Sequence, residues 1–224
     1  MPQFRLIAVF TIIGSLTTWS QNDSTFVDTK YLEDHLYFNI TYNLMVDHPE
    51  DFSQNGISGG IALGFIKDIP LNERRNVGLG IGLGFNYNAF NHNIKFTNDN
   101  PPIIIPESDF KNNYLATYVI EAPIEFRWRT STATKYGFWR IYTGLKLGYV
   151  VGSTNKFSDD LSSIKVSNLE EVDKFQYGLS FSAGYSTFNL HLYYGLNPLF
   201  KDTQINGQTL NLKQLNVGLI FYIL

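Results

Sequence analysis

The stretch VGLGIGLGFNYNA, from Val77 to Ala89, decides how the rest of the chain is read. Its odd-numbered residues are Val77, Leu79, Ile81, Leu83, Phe85, Tyr87 and Ala89, and its even-numbered ones are Gly78, Gly80, Gly82, Gly84, Asn86 and Asn88. Period two without an exception is the signature of a strand with one apolar face. At ~3.3 Å per residue such a stretch reaches roughly 43 Å, enough to cross a hydrocarbon core of about 30 Å at the tilt of a barrel strand.

Seven further segments repeat the template. Before it come Leu36 to Leu44 and Ile57 to Phe65; after it come Tyr118 to Trp128, Trp139 to Val151, Phe175 to Tyr185, Phe188 to Leu196 and Leu215 to Ile223. The expected fold is therefore all-β, an eight-stranded antiparallel transmembrane β-barrel over residues 35–224, since single-chain bacterial barrels have even strand numbers. The connections alternate in length. Asp68 to Arg75, Arg129 to Gly137 and Ser186 to Thr187 are short and belong in the periplasm. Val46 to Asn55, Asn91 to Asn113, Gly152 to Val172 and Asn197 to Thr209 are longer, rich in Asn, Asp, Ser and Pro, and belong outside the cell. Pro101, Pro102 and Pro106 keep the second outer loop from continuing the barrel ladder.

Aromatic residues on the apolar face fall at both strand ends. Trp128, Trp139 and Phe188 lie at periplasmic ends, and Phe85, Tyr87, Tyr149 and Tyr177 at outer ends. Two such girdles fit the two bilayer interfaces, where flat amphipathic rings sit among headgroups.

Composition agrees. Charged residues make up 17% of the chain, against about a quarter in soluble domains, yet the mean hydropathy is only −0.11, because in a barrel alternate residues face away from lipid. Cysteine is absent, which excludes disulfides, thiolate metal sites and a thiol nucleophile. The net charge of −3 leaves no basic surface for nucleic acid. Residues 1–20 read as a signal peptide, with Arg5, an apolar run from Leu6 to Leu16, and small Thr18 and Ser20 before the cut. Residues 21–34 are polar and read as a periplasmic arm. The expected location is the outer membrane, as an integral protein in contact with its lipid.

A soluble barrel of the lipocalin kind also alternates but points its apolar face inward. The glycine series argues against it, since Gly78 to Gly84 facing solvent would bare the backbone, while facing a narrow lumen they make room for larger side chains opposite.

The inward residues then become the candidate site. Glu121, Glu125 and Arg127 of one strand face Arg140, Tyr142 and Lys146 of the next, a polar network in a lumen about wide enough for side chains to fill. An open pore is not expected, nor is a cofactor, a metal or a small-molecule substrate. His35, His48, His92 and His191 form no metal-ligand spacing, and no nucleophile elbow is present. A lipid hydrolase using His191 with a serine is the reading from another class.

The segment EAPIEFRWRTSTATKYGFWRIYTGLKLGY, Glu121 to Tyr149, resembles the central strand-turn-strand of the PorT (SprT) family of small outer-membrane barrels, of OmpA and OmpX size. The specific stretches are E-x-P-x-E-x-R-W-R and F-W-R-I-Y-x-G-x-K-L-G-Y. The resemblance implies a non-enzymatic component of the type IX protein secretion system, partnered by other secretion-system envelope proteins and in some bacteria supporting gliding motility. It carries no catalytic residues. A generic structural or adhesive barrel is the alternative.

Overall fold

The computed structural model describes residues 35–97, 101–130, 137–205 and 207–223. The leader and the periplasmic arm read from the sequence lie outside these residues, as does most of the Arg129 to Gly137 connection.

Eight long strands form the barrel: β1 His35–Val46, β2 Gly59–Pro70, β3 Val77–Asn91, β4 Asn112–Arg129, β5 Trp139–Ser158, β6 Phe175–Tyr185, β7 Phe188–Gly195 and β8 Lys213–Ile223. Each pairs antiparallel with the next, from β1 with β2 through β7 with β8. The last strand returns to the first, with Leu36 opposite Ile223 and Val46 opposite Lys213. The sheet is thus a closed up-and-down barrel whose main ladder leaves no free edge.

The two faces separate as period two demands. Leu36, Ile40, Leu63, Leu83, Ile124, Leu145, Leu179 and Leu219 are exposed on the outside, while Tyr37, Asn39, Asn43, Asn88, Glu121, Arg127, Ser180 and Asn216 are buried inside. Glycines in β3 and β2 allow this interior. A methyl group on Gly84 would overlap the Tyr37 hydroxyl, and one on Gly64 would sit 2.6 Å from Tyr37 Cε1. The aromatics form clusters at both ends of the outer face. Trp139 meets Tyr185 and Phe188 meets Phe221 near the termini, while Tyr149 meets Phe175 and Tyr87 meets Tyr118 at the opposite end. Trp128 is exposed beside the first group, and Phe85 and Tyr177 beside the second.

The structure moves several boundaries. Ile57 precedes β2 and is 87% exposed, whereas Asp68, expected to open the following turn, is in the strand and buried. Arg129 likewise belongs to β4, not to the connection after it. The outer loop expected from Gly152 is in fact a ladder: β5 runs on to Ser158 and folds back through Ser163–Ser167. β4 matches it by starting at Asn112 rather than Tyr118. A bulge divides the lower from the upper part of β5. Val119 pairs with Val150 and Tyr118 with Gly152, so Val151 is extra. Beyond it the inward set on β5 switches from even residues to Ser153, Asn155 and Phe157, as one inserted residue must cause. The proline-bearing loop makes only a small separate ladder, Ile94–Lys95 with Ile103–Ile104.

The interior is layered along the barrel axis. At the outer end several inward positions are apolar, and Met45, Phe90, Leu115, Val119 and Val150 pack with Phe52, Ile94, Phe96, Leu169, Leu199, Phe200, Leu210 and Leu212 from the loops, beside the buried Asn113 and Asn155. The outer loops therefore fold over the barrel as a hydrophobic cap, which their polar composition did not announce.

Candidate functional site

The lumen is polar below this cap, and its charges are organised around Glu121 and Asp68. Each sits on an inward position because β4 and β2 hold their alternation to the end. The Glu121 carboxylate accepts hydrogen bonds from the Tyr37 hydroxyl at 2.7 Å, from Asn86 Nδ2 at 3.0 Å and from Lys146 Nζ at 3.2 Å. A carboxylate with that many donors is compensated for its removal from water.

Nearer the termini, Arg129 grips Asp68 through both ends of its guanidinium, at 2.9 and 2.6 Å, while its Nε donates to the Arg75 carbonyl at 2.9 Å. Arg127 lies between, with Nε 3.2 Å from Glu125 and Nη1 3.4 Å from Asp68 and 3.3 Å from His35 Nδ1. Its guanidinium stacks over the Tyr142 ring at 4.7 Å. Arg140 covers the Phe138 ring at 4.5 Å. Space for Arg127 comes from Gly80, where an added methyl would lie 2.5 Å from Nε. Toward the cap, Asn43 donates to Asn88 at 2.9 Å and Thr41 to Asn43 at 2.7 Å.

All six residues singled out from the sequence line this lumen and are buried. They form two groups: Glu121 with Lys146, and Glu125 with Arg127, Tyr142 and, through shared rings, Arg140. Asp68, Arg129, His35, Tyr37 and Tyr222 were missed. The signal for two of them was present, since the even series Ala62, Gly64, Ile66 continues to Asp68, and the odd series Glu121, Glu125, Arg127 continues to Arg129.

The packed lumen leaves a cavity of about 20 Å³ beside Glu121, Lys146, Gln176 and Tyr193, room for about one water. The cap above and the arginine cluster below fill the two ends of this lumen with packed side chains. His191 is buried inside the barrel and makes no hydrogen bond to a serine; its neighbour in register, Ser182, has its hydroxyl 3.2 Å from the Tyr222 hydroxyl. A serine-histidine pair is not assembled there. No group of three or more potential metal ligands occurs among the described residues.

A closed barrel with an apolar outside and a charged inside matches what sequence comparison finds. Residues 19–201 match the family model described as outer membrane protein beta-barrel domain. The chain belongs to this outer membrane β-barrel family. As a member it resides in the outer membrane. Among solved structures it is similar to Ail, the attachment invasion locus protein of Yersinia pestis, at 12% identity over 85% of this chain and 97% of that one, with a TM-score of 0.34. No curated protein matches the chain.

Proposed function

We propose that this outer-membrane barrel is a non-enzymatic component assisting type IX protein secretion, of the PorT (SprT) kind. It acts as a rigid membrane anchor that docks other envelope proteins and passes nothing through its own lumen. The observation that supports this reading is the filled interior, with a hydrophobic cap at one end and the arginine-carboxylate cluster at the other. The stretch that carries the resemblance, Glu121 to Arg129 with Phe138 to Tyr149, builds this packing: Glu121, Glu125, Arg127, Arg129, Phe138, Arg140 and Tyr142 all point inward and are buried. A signature that fills a barrel suits a scaffold, and leaves the outer ladder and the periplasmic arm as the parts able to meet partners.

Deletion of the gene tests it. Secreted cargo should accumulate in the periplasm, and a copy with the barrel intact should restore export. Unchanged export would remove the secretion role.

A further inference from the structure

A cleft of about 600 Å³ opens on the outer flank of the barrel, where β5 and β6 part company. Their ladder ends at Tyr149 opposite Phe175, and above that point β5 pairs with its own hairpin instead. Tyr149 and Val151, both outward-facing and exposed, line the base of the cleft, and Leu169, Glu170, Lys174 and Lys201 line the rest with their neighbours. Tyr149 belongs to the outer aromatic girdle, in edge contact with Phe175 at 5.2 Å. The cleft therefore straddles the boundary between hydrocarbon and headgroups.

Its walls are tied together by backbone bonds. Val150 N–H donates to the Lys174 carbonyl at 2.8 Å, Asp173 N–H to Leu199 at 2.9 Å and Lys201 N–H to Glu171 at 2.8 Å, around a bridge between Val172 and Phe200. The backbones of two lysines from loops distant in sequence are thereby fixed on the rim of one cleft, anchored through Leu169 and Val172 in the cap.

We propose that this cleft binds a phosphate-bearing lipid of the outer leaflet, with Lys174 and Lys201 on the anionic headgroup and Tyr149 and Val151 against the first part of its acyl chains. Glu170 on the same lining opposes the anion and sets the sign of a control. A cation beside a membrane surface favours anionic lipid, and here two exposed lysines line one cleft with the outward Tyr149 and Val151.

The test is native mass spectrometry of the full barrel in detergent micelles doped with phosphatidylglycerol or with phosphatidylcholine. The wild-type barrel should retain phosphatidylglycerol preferentially. Each of Lys174→Gln and Lys201→Gln should weaken retention about fivefold, the effect of one basic side chain near an anionic surface, and Glu170→Gln should strengthen it. Excess inorganic phosphate should leave the lipid bound. Equal retention of the two lipids, no loss in the lysine variants, weaker retention in Glu170→Gln, or displacement by free phosphate would each overturn the assignment.

Discussion

Asp68 shows how much one buried side chain holds. It receives two hydrogen bonds from Arg129 and one from Arg127, and its removal would strand two buried cations. Breaking a buried ion pair from one side costs about 3–5 kcal/mol. Asp68→Ala should therefore lower the free energy of unfolding in urea by that amount, followed by the heat-modifiable mobility of the barrel in lipid, and Asp68→Leu combined with Arg129→Met should cost less than Asp68→Ala alone. Gly84 works through space rather than charge. Gly84→Ala pushes on the Tyr37 hydroxyl and should cost about 1–3 kcal/mol as an overpacked site does. Tyr37→Phe in that background should cost less than the sum of the two changes, because the contact is shared.

His92 makes a residue-scale prediction about pH. It lies beyond the outer girdle, edge-on to Phe96 at 5.9 Å, and burial lowers its pKa from 6.5 to about 4. The folded cap keeps the ring neutral, so the unfolded chain binds the proton more readily. Stability is then full above pH 6.5 and falls as the pH drops toward 4, by up to about 3 kcal/mol. Hydrogen exchange of the cap amides between pH 7 and pH 4 should show the loss in wild type and much less of it in His92→Gln.

At the scale of elements, legibility tracked how local the signal was. β3, β6 and the lower half of β5 were plain because alternation is written in the strand itself and one buried face pins the register. The bulge at Val151 was not, since Val150, Val151 and Gly152 fit either parity and only pairing with β4 shows which residue is extra. Asp68 reads as the start of a turn because a lone carboxylate gains nothing from a strand by itself, yet it faces inward and finds Arg129 two strands away. Cysteine scanning checks the shift. Thr154→Cys and Lys156→Cys should react with an impermeant thiol reagent on intact cells while Asn155→Cys and Phe157→Cys stay protected. The reverse pattern would mean that the lower parity of β5 runs through to the tip.

At the scale of the whole molecule, the barrel reads as a closed container and the cap explains why. Leu169, Leu199, Phe200, Leu210 and Leu212 are scattered through polar loops with no period, so nothing local foretells that they converge; only closure of the barrel brings them together. The lumen network was half legible for the opposite reason, as inward positions follow from parity but partners across the barrel do not. Purified protein in a planar bilayer should accordingly show no stepwise conductance, and discrete openings would contradict the sealed interior.

The orientation of the strand faces decides whether the apolar rows meet lipid, and nitroxide scanning of β6 in lipid vesicles tests it most directly. Ser180 and Ser182 are buried in the lumen, while Leu179, Phe181 and Tyr177 are exposed on the outside. Labels on the outward residues should collide with oxygen dissolved in the bilayer, and labels on the two serines should meet neither oxygen nor a water-soluble relaxing agent, giving a period of two along the strand. Serine positions in contact with lipid, or an apolar row shielded from the bilayer, would contradict it.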